Sequence, residues 1–481
     1  MIALANAPRT MRAMYFPLHS HLRRQIFFRL FVLLTAMVCL LSSAPVRGEG
    51  NTVSPVYGPL YRFPLTDIPY NARHGYDAPG MEISLYLCKN PAQAVHRAID
   101  SAMQEYQQDC MGRIATAGLL VLFDVAWTYL PPGYGWLHEE GHRAVLKNRG
   151  INSFNDIYKM KLLADYVSVS RVKDEDLVRL KREYPADMVR LSAAGNEMQL
   201  VLVSEMQKDT FFSGRRSFPD RPSWWINTLN AVFYIDYCTR SDADRDTEQF
   251  EQEEGSRLSV RDAVGLDFTA WVYDLFRPEE PYEERGPHPS GAGLRRYIKR
   301  SDLTAAELRY LKQQRNLSLL NLISPLYLGK DRFRVENPFS GKTFYWNFLM
   351  SHHLTSFGYA VDFCLLLRQG GINLVAVSHN YANRQRYFPG AGLELRRYPA
   401  KPAGISLYLS PGIDLWQQPA GQMFRDENPR PGGLLKMTAD IPVARCLEIF
   451  LRVEGKTEGW YAGCVSLDRE ARLLTGLNLI L

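Results

Sequence analysis

Residues that commonly carry chemistry are scarce in this chain: 481 residues include only seven cysteines and ten histidines. No CxxC or other metal-type cysteine spacing occurs, which excludes a cysteine-based zinc module. A G-x-S-x-G elbow, a Walker loop and a G-x-G-x-x-G following a strand are all missing. Serine-nucleophile, phosphate-loop and dinucleotide chemistry therefore have no motif to rest on. No repeat occurs at solenoid or propeller periods. A mean hydropathy of −0.24 excludes a chain made mostly of membrane helices.

The net charge of +6 is also less than it looks. Residues 1–48 carry six arginines and no acidic residue, so the rest of the chain holds 51 basic against 51 acidic residues. A neutral chain lacks the electrostatic footprint of a nucleic-acid binder, and no nucleic-acid partner is expected. The same 48 residues read as a secretory signal: Arg23, Arg24 and Arg29 precede the apolar run Leu30–Ala44. Export places the remainder in the periplasm or outer membrane of a Gram-negative-type envelope. In that oxidising setting Cys88 could pair with Cys110, and Cys446 with Cys464; buried free thiols are the alternative.

The chain changes character near residue 340. A segment at 49–91 with one strand leads into residues 92–335, where apolar residues recur at helical spacing. Asn90 and Pro91 resemble a helix start, and Leu137–Asn148, Ala186–Gln207, Ser223–Tyr237, Asp262–Phe276 and Ala305–Ile323 read as further helices. Ser241–Ser256 is strongly acidic and reads as a solvated loop, with an incomplete match to a calcium loop. Over 336–481 the period becomes two. Leu447, Ile449, Leu451 and Val453 share one face, with Glu448, Arg452 and Glu454 on the other. About eight such strands with short turns suggest an antiparallel β-barrel. Its apolar row faces lipid if the barrel spans the outer membrane, and faces inward if it is soluble. The fold class expected is α+β: a helical domain followed by a C-terminal antiparallel barrel.

One stretch points to chemistry. His138-Glu139-Glu140-Gly141-His142 matches H-E-x-x-H. On a helix, residues four apart project from one face, so two imidazoles can bind one metal ion. Glu139 lies beside that face, placed as general base to take a proton from water activated by zinc. The stretch resembles the active-site helix of zincin-type metallopeptidases. Its H-E-x-G-H form, followed by Gly150 and preceded by apolar Ile114–Leu130, also looks like the motif of membrane-embedded site-two proteases, although Asp124 interrupts the apolar run.

A catalytic zinc takes three protein ligands and an open position. The resemblance to glutamate-type zincins implies a third ligand on a later helix, within an Asn-Glu pair. Asn196-Glu197 matches it, among the small residues Ser192–Gly195. Glu197 is therefore expected to complete the site with His138 and His142. His352 and His353 compete, but neighbours on a strand face opposite ways, and they read as sheet residues. The sequence thus suggests an exported zinc metallopeptidase acting on a peptide or protein, with membrane association through its barrel. The alternative is a non-catalytic envelope β-protein whose helices form an interaction or plug domain.

Overall fold

The computed structural model describes residues 60–160, 167–336 and 343–480; the export signal expected at 1–48 lies outside them. Strand β1 (Leu60–Ile68) comes first. The helices α1 (Tyr70–His74), α2 (Met81–Ala102), α3 (Cys110–Thr128) and α4 (Tyr134–Asn148) follow. A two-stranded ribbon, β2 (Phe154–Asn155) and β3 (Val169–Ser170), precedes α5 (Asp174–Glu183), α6 (Pro185–Ser213), α7 (Arg221–Cys238) and α8 (Asp242–Glu254). Then come α9 (Asp267–Phe276), α10 (Ala305–Ser318), β4 (Phe333–Glu336), β5 (Thr343–Thr355), β6 (Gly358–Gln369) and β7 (Ile372–Ala382). The chain closes with β8 (Tyr387–Leu395), β9 (Tyr398–Ala400), β10 (Leu407–Pro419), β11 (Pro429–Ala444), β12 (Leu447–Lys456) and β13 (Glu470–Ile480).

The expected mixture of helices and a large antiparallel sheet is present; the closed barrel is not. Strand order runs β1-β13-β12-β11-β10-β8-β7-β6-β5-β4, with β9 beside β10. Among the described residues β1 and β4 end this order and do not pair with each other. Helices take the place of closure. On one edge, Asn90 of α2 donates to the Arg62 carbonyl of β1. On the other, Met350 of β5 donates to the Ile323 carbonyl at 3.0 Å, and the His352 amide to Asn321 at 2.6 Å. Buried backbone groups at both edges thus find partners without a strand-to-strand seam.

Three other expectations need correcting. The boundary at 91/92 falls inside α2, which starts after Gly80 and runs through Pro91. The 49–91 segment does hold a strand, but β1 pairs with β13, so the helical stretch is inserted between strands of one sheet. Ser241–Ser256 is no loop: Asp242–Glu254 is helical, with Thr247 and Glu251 buried and Asp242 and Asp244 acidic at its N-terminal turn, where they favour a helix. The six cysteines of the described residues are unpaired. Cys88 and Cys464 are buried while Cys110 and Cys446 are exposed, so each expected pair would have to join an interior to a surface.

Helices α4 and α6 form the centre of the helical core. Leu137, Val145 and Leu146 of α4 meet Leu191, Met198 and Leu202 of α6. Glycine lets the two backbones approach: a Cβ on Gly141 would lie 2.5 Å from the Ala194 carbonyl oxygen. Helix α6 ends on Gly214, whose φ of 71° is a left-handed C-terminal conformation that glycine adopts at little cost. Helix α10 starts with Thr304 and Glu307 in a reciprocal capping box.

Candidate metal centre

The close approach of α4 and α6 sets the imidazoles of His138 and His142 against the backbone of α6. A Cβ on Gly195 would sit 2.5 Å from His138 Nε2 and 2.5 Å from His142 Nε2. Only glycine leaves room for both rings there. The rings lie 4.9 Å apart, centroid to centroid, as expected of residues one turn apart.

A third element supplies the carboxylate. Asp267, the first residue of α9, places Oδ2 3.1 Å from His138 Nε2 and 3.5 Å from His142 Nε2. All three donor atoms lie within 4.8 Å of one another. A tetrahedral zinc with bonds of about 2.0–2.1 Å spaces its ligand atoms about 3.3 Å apart, so these separations suit a small divalent ion.

The outer contacts fix which atoms face inward. His142 Nδ1 lies 2.6 Å from the Leu191 carbonyl oxygen, and His138 Nδ1 lies 3.1 Å from the side-chain oxygen of Gln199. When each Nδ1 donates its proton to these acceptors, both Nε2 lone pairs point toward Asp267. Three acceptors then converge on one point, and a cation, or protons on the imidazoles, must balance them. Asn196 donates to Asp267 Oδ2 at 3.3 Å, and the Asp267 amide donates to the Tyr234 hydroxyl at 3.1 Å.

The electrostatics follow from this crowding. Burial opposes the charged form of each histidine, yet Asp267 outweighs it and raises both values. Burial likewise would raise Asp267, but the two imidazoles hold it well below the usual carboxylate range. Glu139 is 8% exposed, and burial pushes its carboxyl well above the ordinary range, with Asp262, Asp267 and Asp156 adding to the rise and His138 opposing it. A divalent cation nearby would draw Glu139 back down.

His138 and His142 are brought together with Asp267, and Glu139 follows His138 on the same helix; Glu197 lies elsewhere. Its Oε1 accepts from Arg190 at 2.7 Å and from the Gly463 amide at 2.8 Å, and its Oε2 from Trp460 at 3.2 Å. Glu197 ties α6 to the loop between β12 and β13. Successive helical residues point about 100° apart, so the neighbour Asn196 reaches the centre and Glu197 turns away. His352 and His353 lie on β5, with His352 bonded to Gln314 and His353 packed near Trp460. The sequence signal of Asp267 is slight: it is one of two carboxylates, with Asp274, in a largely apolar helix, DFTAWVYDLF.

The Asp124 that interrupts the apolar run also has a role. Buried His96 lies between Asp124 and Asp220, at 2.8 and 2.9 Å, and Tyr134 donates to Asp124 at 2.6 Å. This network joins α2, α3 and the first residue of α4. Comparison with protein-family models, curated protein sequences and solved structures finds no match for this chain.

Proposed function

We propose that the chain is an exported zinc-dependent hydrolase of the metallopeptidase type, acting at His138, His142, Asp267 and Glu139. The observation that supports this reading is the convergence of two Nε2 atoms and one carboxylate oxygen on a single point, with Glu139 beside them on the same helix. Zinc bound there would supply Lewis acidity and lower the pKa of water toward neutrality. The chain's own groups do the rest. His138, His142 and Asp267 would hold the ion, Gln199 and Leu191 would orient the rings, and Glu139 would serve as the proton acceptor.

A second reading takes the ion as structural and the helices as a non-catalytic plug against the sheet. It is favoured by the small opening of the centre: the His138 side chain is 13% exposed. A cavity of about 300 Å³ lies elsewhere, between the sheet and α2 and α6, among Glu82, Lys89, Glu205, Lys208, Glu394 and Lys436.

The test is hydrolysis of an unfolded protein, such as labelled casein, by zinc-loaded wild type and Glu139→Gln. The hydrolase reading expects Glu139→Gln to keep its zinc and lose about 10²–10⁴-fold in rate. Equal rates in both, or zinc-loaded wild type without activity, overturn it; the latter leaves the structural ion.

A further inference from the structure

We infer that the outward face of the sheet is seated in the hydrocarbon of a lipid bilayer. This inference does not depend on metal at His138.

The two faces of the sheet have the polarity of a water-soluble protein reversed. In β6–β8 and β10–β13 the alternate row that carries Leu365, Leu393 and Leu435 contains no Asp, Glu, Lys or Arg, and apart from covered ends such as Tyr359 and Ala382 it is exposed or half-buried. The strand pairings carry one apolar row across five strands, Leu365–Ala376–Leu393–Ile413–Leu435. Of these, Leu393 is 52% and Leu435 64% exposed. Further along β12, Ile449, Leu451 and Val453 are exposed as well. The opposite face carries the charges. Lys436 pairs with Glu394 at 2.8 Å, Arg397 with Glu448 at 2.7 Å and Arg472 with Asp67 at 2.9 Å, all shielded beneath the sheet.

A sheet in water puts its apolar side chains on the covered face and its charges outside. Protein partners do not account for the inversion either, since interfaces between proteins are about 56–65% apolar and rimmed by charge. Hydrocarbon does. Strand length agrees: β10 has 13 residues and β11 16, where a membrane strand needs about 9–11 and a soluble one averages about 5–6. At about 3.3 Å per residue and a tilt of about 45°, thirteen residues cover about 30 Å, the depth of a bilayer's apolar core.

Lipid also requires that no strand edge be left bare. The helical stretch covers part of each edge: Asn90 serves β1, and Ile323 and Asn321 serve the length of β5 that β4 leaves unpaired.

The test uses nitroxide labels at Leu435→Cys and Leu451→Cys in the full chain, with Cys39, Cys110 and Cys446 replaced by serine. The labelled protein is reconstituted in dioleoylphosphatidylcholine vesicles, and circular dichroism matching the unlabelled chain establishes that the sheet is intact. Tyr106→Cys, on an exposed helical turn, serves as the aqueous reference. Oxygen, which concentrates in hydrocarbon, is expected to reach both sheet labels severalfold better, relative to a water-soluble nickel chelate, than it reaches the reference. Nickel access equal to the reference at both sites overturns the inference. So does exclusion of both reagents, which marks a second copy of the chain as the occupant.

Discussion

Nε2 of His138 lies 3.1 Å from Oδ2 of Asp267, although 129 residues separate them in the chain. The contact needs three helices: α4 brings the histidines, α6 offers a glycine to lie against, and α9 begins with the carboxylate. The site is therefore a property of tertiary packing, and each packing element can be tested.

Gly195 is one such element. A methyl group there would meet both Nε2 atoms at 2.5 Å, so Gly195→Ala must push the rings off α6. The expected outcome is loss of stoichiometric zinc together with about 1–3 kcal/mol of stability from overpacking. Urea unfolding and metal analysis of the same preparation check both.

Gln199 is another, since its side-chain oxygen faces His138 Nδ1. Gln199→Leu removes the acceptor at similar volume and frees the ring to choose its other tautomer. Zinc affinity should fall about 10–100-fold with little change in fold, as for other outer partners of metal-bound histidines. Competition with a chromophoric chelator measures it.

The His96 network carries a pH signature. Burial disfavours the imidazolium form, but Asp124 and Asp220 outweigh it and lift His96 from its ordinary 6.5 to about 10. The folded value is the higher one, so its contribution is fully present below about pH 6.5. It declines between 6.5 and about 10 and is gone above. His96→Gln should cost about 3–5 kcal/mol near pH 6, because it strands two buried carboxylates. Chemical unfolding at a series of pH values should show the gap between wild type and variant closing toward pH 10.

These sites also show how far the sequence could be read. The H-E-x-x-H spacing is local, so His138, Glu139 and His142 were legible from one helical turn. The alternation in β12 was equally local, and the strands formed. Asp267 was not legible, because no pattern ties a carboxylate at one helix start to histidines on another. Glu197 misled because an Asn-Glu pair says nothing of which member turns inward; the loop at Trp460–Gly463 claims the glutamate. Barrel closure failed for a related reason. Alternation sets the faces of a strand, whereas edge partners such as Asn90 come from helices that no strand pattern reveals.

Glu197 and Asp267 together offer the most direct measurement: zinc per chain, by mass spectrometry, in wild type, Asp267→Ala and Glu197→Gln. Wild type should hold about one zinc, Asp267→Ala none, and Glu197→Gln, whose partners are Arg190, Trp460 and Gly463, an undiminished amount. Wild type without zinc, or zinc retained by Asp267→Ala and lost from Glu197→Gln, would contradict a centre of His138, His142 and Asp267.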